Sequence, residues 1–251
     1  MNNSVLNYHQ FGPENGPPVI MLHGWGQSLQ SLIPLGQLLS DQARVHLIDL
    51  PGFGGSSLVS EDWGTAEYAD FIAAFMNERN IEKASILGHS FGGRVALQLA
   101  AKCPGRIDSL ILISAAGLKP HRTYFQKIRY GWIRVLGSVS FLARPLIGGS
   151  MISWYRDRYG SSDYKNAGHM RGVFIKAVNE DLSGLAEKIG SRTLILWGED
   201  DRTTPPDMAY RYNQLIRNSK LIMLSGYGHF PFTDMGAQLC AFHIRKFLKE
   251  N

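Results

Sequence analysis

Six largely apolar runs punctuate the chain: Val19-Ile20-Met21-Leu22, Val45-His46-Leu47-Ile48, Ser85-Ile86-Leu87, Leu110-Ile111-Leu112-Ile113, Thr193-Leu194-Ile195-Leu196-Trp197 and Leu221-Ile222-Met223-Leu224. Runs without polar alternation mark strands buried on both faces. A weaker alternation over Val5 to Phe11 predicts one more strand, closed by the turn-rich Gly12-Pro13-Glu14-Asn15-Gly16-Pro17-Pro18. Helical spacing fills the gaps. It covers Ser28 to Leu39, where Pro34 must sit at a helix start or break it, then Thr65 to Arg79, Arg94 to Lys102, Asp207 to Ile216 and Gly236 to Lys249. Strands alternating with helices predict βαβ units and an α/β fold on a mostly parallel sheet of about seven or eight strands. From about Leu118 to Leu185 the alternation stops and aromatics, arginines and glycines take over. The expected organisation is a core of 1–117 and 186–251 with a helical cap, or lid, of 118–185.

The chain has 251 residues, 44% of them hydrophobic, which is enough for one sizeable core. Its first residues, Met1-Asn2-Asn3-Ser4-Val5, show no basic segment followed by an apolar stretch, and no run approaches a membrane span. The expectation is a cytoplasmic protein with no membrane insertion. Cys103 and Cys240 lie far apart in apolar helical settings and read as two buried thiols rather than a disulfide or metal pair. No Cys/His cluster has zinc spacing, and Gly52-Phe53-Gly54-Gly55 lacks the Gly-Lys-Ser/Thr of a phosphate-binding loop. No cofactor and no metal are implied.

In a parallel sheet, ligands bind beyond the carboxyl ends of the strands. Gly88-His89-Ser90-Phe91-Gly92 stands at such an end, between an apolar run and an amphipathic one. Strand, sharp turn and helix are the setting in which Gly-x-Ser-x-Gly exposes a strained serine, so Ser90 is the candidate nucleophile. A serine hydroxyl needs a general base, and the base needs an acid to hold its tautomer. His229, in the loop between the last apolar run and the last helix, is the candidate base. The acid belongs on the preceding loop, Gly198-Glu199-Asp200-Asp201-Arg202-Thr203-Thr204-Pro205, which offers three consecutive carboxylates.

Together with His23-Gly24-Trp25-Gly26 and Asp49-Leu50-Pro51-Gly52-Phe53-Gly54, these motifs make the chain resemble the α/β-hydrolase fold family over nearly its whole length. The resemblance implies that fold, with the lid inserted after the strand that follows the nucleophile helix. It assigns the triad acid to Asp201, leaving Glu199 and Asp200 as loop charges, and places the oxyanion donors at the backbone N–H groups of Phe91 and Trp25. It also implies that Asp49 braces loops beside the site. The Trp25 side chain is expected to line the acyl pocket. His23 is expected both to hydrogen-bond nearby backbone, as His89 does, and to border the substrate, while Tyr124 and Trp154 offer lid contacts. The implied activity is hydrolysis of carboxylic esters through an acyl-enzyme on Ser90. Carbon-carbon bond hydrolysis of vinylogous diketones and slow-turnover ligand reception are the alternatives on the same triad.

Charge adds a possible partner. Residues 119–176 hold eleven basic and two acidic residues, a formal +9, whereas the remaining chain carries −4 and the whole +5. A one-signed patch beside a crevice attracts anions. The aromatics interleaved there sit at helical spacings, which suits packing on the crevice better than nucleic-acid binding, so no nucleic acid is expected. The motifs around His23 and Asp49 further resemble pimeloyl-acyl-carrier-protein methyl ester esterases. That resemblance implies an acidic acyl carrier protein as partner, with Arg156 and Arg158 as candidate contacts. The Gly88-His89-Ser90-Phe91-Gly92 elbow departs from that subfamily in lacking its Trp and Leu.

Overall fold

The computed structural model describes residues 6–58, 63–119, 163 and 166–250. Seven strands form one sheet: β1 (Tyr8–Phe11), β2 (Pro18–Leu22), β3 (Arg44–Ile48), β4 (Ala84–His89), β5 (Ile107–Ile113), β6 (Arg192–Gly198) and β7 (Ser219–Leu224). Their spatial order is β1-β3-β2-β4-β5-β6-β7, antiparallel at β1–β3 and parallel elsewhere. β4, which leads into Ser90, is therefore central.

Each apolar run buries two faces. Val19 and Met21 pack with Leu35, Leu39, Cys240 and Ile244 on one side of the sheet, while Ile20 and Leu22 pack with Tyr68, Ile72, Val95 and Leu99 on the other. The period-two alternation of β2 thus feeds two cores. Helices α1 (Ile33–Leu39) and α7 (Met235–Lys249) cover the first, and α2 (Thr65–Glu78) and α3 (Phe91–Lys102) the second. Full burial of one such Leu contributes about 1.5–3 kcal/mol.

The expected Ser28–Leu39 helix divides at the proline. A 3-10 turn spans Leu29–Leu32 and α1 follows, with Pro34 in its first turn, where no intrahelical donor is needed. The first strand is shorter than its alternation suggests, and α3 starts three residues earlier than Arg94, directly after the nucleophile candidate. Cys240 is buried, but Cys103, just past the end of α3, is only half-buried, which corrects the reading of two buried thiols.

Most of the expected cap lies outside the described residues. Its C-terminal part forms α4 (Arg171–Asn179) and α5 (Ser183–Ala186), ahead of β6 and of α6 (Pro206–Leu215). Met170, Val173, Ala177 and Leu182 join the same core as α2 and α3. Glu180 ties this segment to the start of α2, accepting from the Thr65 N–H (3.3 Å) and hydroxyl. Among the described residues no helix is long and apolar enough to cross a membrane.

Candidate active site

Ser90 has φ 49° and ψ −107°, a conformation that costs a non-glycine residue about 1–3 kcal/mol. The surrounding backbone holds it there. Ser90 N–H donates to Ile113 O (3.2 Å), and Ser90 O accepts from Gly93 and Ala116 N–H (3.0 Å each). The flanking glycines are required by space: a Cβ on Gly88 would lie 2.4 Å from Gly92 O, and one on Gly92 2.2 Å from Leu22 O.

The loops after β6 and β7 bring the other two members to the hydroxyl. His229 Nε2 lies 3.1 Å from Ser90 Oγ, and His229 Nδ1 lies 2.8 Å from Asp201 Oδ2. Asp201 can only accept, so Nδ1 carries the ring proton and Nε2 turns its lone pair to Ser90. Asp201 is buried, yet its second oxygen accepts from Thr203 and Thr204 N–H (2.8 and 2.9 Å) and Oδ2 lies 2.8 Å from Thr204 Oγ1. Burial alone would raise its pKa. The hydrogen bond and electrostatic attraction of the His229 ring, with the Thr204 donors, outweigh it and hold the pKa below the ordinary value. Glu199 and Asp200 are exposed on the same loop.

His89 joins two motifs: its Nε2 lies 2.9 Å from the His229 carbonyl and its Nδ1 3.2 Å from the Gln27 side-chain oxygen, which also accepts Gly24 N–H (3.1 Å). Burial, with repulsion from His229, lowers its pKa to about 3, so the ring is neutral.

The cleft opens into a cavity of about 380 Å³ lined by Trp25, Ser90, Phe91, Arg94, Phe174 and Met208 among others. Trp25 is clasped edge-on by Phe53, Phe91 and Phe174, with centroids 5.0, 5.3 and 5.0 Å away. Gly92 N–H donates to His23 O (3.1 Å), fixing the Trp25 loop against the first turn of α3. The N–H groups of Trp25 and Phe91 make no backbone hydrogen bond among the described residues.

His23 does not border the cavity, which corrects that part of its expected role. It is fully buried, with Nδ1 2.8 Å from Gly24 O and Nε2 accepting Leu50 N–H (3.0 Å). Desolvation lowers its pKa and keeps it neutral for this bracing. Asp49 is likewise a brace, accepting from Asn7 Nδ2 (2.6 Å), Leu29 N–H (2.6 Å) and Gly55 N–H (2.7 Å). Tyr124, Trp154, Arg156 and Arg158 lie outside the described residues.

The family model described as alpha/beta hydrolase fold matches residues 17–166 and 149–234. The chain belongs to the α/β-hydrolase family. A pimeloyl-[acyl-carrier protein] methyl ester esterase of Nitrosomonas europaea is 24% identical over 89% of this chain and 93% of its own length. The dihydrolipoyllysine-residue acetyltransferase component of the acetoin cleaving system of Pseudomonas putida is 35% identical over 45% of the hydrolase chain, which spans only 31% of that relative. Among solved structures, a meta-cleavage product hydrolase of Pseudomonas fluorescens superimposes with a TM-score of 0.73 at 23% identity, covering 98% of this chain and 95% of the other.

Sequence reasoning missed Thr204, Phe174 and Arg94. Thr204 had a usable signal, because an Asp two and three residues ahead of free N–H groups forms a local turn. Phe174 and Arg94 depended on long-range packing. Among the described residues no group of three His, Cys, Asp or Glu could hold a metal ion.

Proposed function

We propose that this hydrolase-family chain cleaves carboxylic esters through a covalent acyl-enzyme on Ser90. The observation that carries the reading is the continuous Ser90 Oγ, His229, Asp201 relay at 3.1 and 2.8 Å. His229 Nε2 takes the Ser90 proton as Oγ attacks the ester carbonyl carbon. The carbonyl oxygen becomes an oxyanion received by the Phe91 and Trp25 N–H groups, each such donor typically worth about 3–4 kcal/mol. Collapse breaks the bond to the alkoxy oxygen, which leaves as alcohol with the proton from His229. Water then gives a proton to His229 and attacks the acyl carbon. The second oxyanion collapses, Ser90 recovers its proton, and the carboxylic acid departs. Asp201 stays ionised and stabilises the imidazolium at both stages.

Hydrolysis of p-nitrophenyl esters from acetate to laurate, abolished in Ser90→Ala, is the expected result. Equal activity in both proteins overturns the mechanism. Cleavage of vinylogous diketones without turnover of any ester moves the assignment to carbon-carbon bond hydrolysis.

The basic stretch 119–176 extends the proposal to an acidic partner, in keeping with the carrier protein in the name of the Nitrosomonas relative. Replacing Arg156 and Arg158 by Glu is expected to impair hydrolysis of a carrier-linked ester more than that of a small one. Equal effects on both remove the partner from the proposal.

A further inference from the structure

Arg94 stands one helical turn after Ser90 on α3 and lines the same cavity. It is 8% exposed, its Nη1 is shielded from solvent, and that nitrogen has no hydrogen-bond partner. A guanidinium carries five donors and does not lose its charge in proteins, so leaving Nη1 buried without a partner is costly. Glu180 and Asp181 lie close enough to attract its charge but form no hydrogen bond or ion pair with it. Both Glu180 oxygens serve Thr65, and Asp181 Oδ1 accepts the Ser183 N–H (3.2 Å). Tyr212, whose hydroxyl is also close enough to act on Arg94 electrostatically, donates to Ala116 O (2.9 Å).

Among the described residues the rest of the cavity wall is mostly apolar. Its other charged residues among the described ones are Lys119 and Asp163, both exposed. A planar guanidinium binds a carboxylate through two parallel N–H···O bonds, a geometry that lysine does not offer.

We infer that Arg94 is a specificity-determining residue that anchors a carboxylate carried by the substrate, so that the preferred esters are half-esters of dicarboxylic acids. The inference deepens the ester-hydrolase reading and rests on it for its kinetics. The arginine costs stability in the free protein and recovers that cost when the carboxylate arrives.

The experiment compares wild type, Arg94→Met and Arg94→Lys on monomethyl adipate and dimethyl adipate, with an ester whose alcohol bears the carboxylate as a further arm. The kcat/KM ratio of half-ester over diester is expected to favour the half-ester in wild type and to fall about 10- to 100-fold in Arg94→Met, with partial recovery in Arg94→Lys. Preference for the alcohol-side carboxylate over the half-ester overturns the dicarboxylate assignment. Arg94→Met is also expected to raise Tm, whereas a bracing arginine would lower it. An unchanged ratio, or a lowered Tm, overturns the inference. Calorimetric titration of Ser90→Ala with adipate separates this question from turnover. If wild type hydrolyses no ester, the ester reading falls, and adipate binding still decides the role of Arg94. Binding lost on adding Arg94→Met supports the role; binding unaffected by it, or absent altogether, refutes it.

Discussion

The ring of His89 is hydrogen-bonded through Nε2 to the backbone carbonyl of His229 at 2.9 Å. The residue before the nucleophile therefore holds the loop that carries the base, across 140 positions of sequence. Replacing His89 by Phe keeps the ring contacts with Phe230 and Phe232 but leaves that carbonyl without its donor. Losing a buried partner costs about 1–3 kcal/mol. The expected outcome is a lower kcat on a small ester at near-constant KM, with slower labelling of Ser90 by a fluorophosphonate. Unchanged labelling would show that the base loop stands without this bond.

Asp201→Asn is expected to lower kcat by about 10³- to 10⁴-fold, since an amide can donate to Nδ1 and turn the wrong tautomer toward Ser90. Thr204→Val should cost only about tenfold, because Asp201 keeps two backbone donors after the hydroxyl is gone. Steady-state kinetics on one ester ranks the two variants. An equal loss would mean that the hydroxyl, not the tautomer, governs the relay.

Gly92→Ala places a methyl group 2.2 Å from the Leu22 carbonyl, in backbone that has no rotamer to yield. A loss of at least about 3 kcal/mol is expected in urea denaturation, with loss of activity. Gly105→Ala is the control, since a Cβ there meets nothing within 4 Å.

Three buried histidines, His23, His46 and His89, make stability depend on pH, each with its pKa lowered by burial. His89 is lowered to about 3 by burial, and His46 to about 4 by burial together with repulsion from Arg44 and Arg79, both against an ordinary 6.5. Both nitrogens of the His46 ring are buried without hydrogen-bond partners. Below pH 6.5 the unfolded chain binds protons that the folded chain refuses. The stabilisation is therefore complete above pH 6.5 and is lost as pH falls, toward 4 for His46 and 3 for His89, by on the order of 2 kcal/mol for each of these two at pH 5. Urea midpoints at pH 7.5 and 5 should differ accordingly. His46→Leu should make the decline shallower, and an unaltered slope would remove His46 from the account.

Much of this architecture was legible because continuous apolar runs and a glycine-flanked serine are short-range signals. The strand positions and the Ser90 turn depend on neighbours within five residues. Asp201 was harder, since Glu199, Asp200 and Asp201 are adjacent and chemically alike. Only the fold turns one of them inward to the Thr203 and Thr204 amides and His229. His23 shows the opposite difficulty, for a histidine at a strand end looks like a ligand contact until both ring nitrogens are found bonded within the protein. Arg94 marks the start of an amphipathic run in sequence and gives no sign there that its charge points inward.

The relay draws its members from three separate strand ends, with Ser90 and His229 139 positions apart. Without the loop after β7, Ser90 has no base to take its proton. Catalytic output is thus a checksum on three strand ends at once.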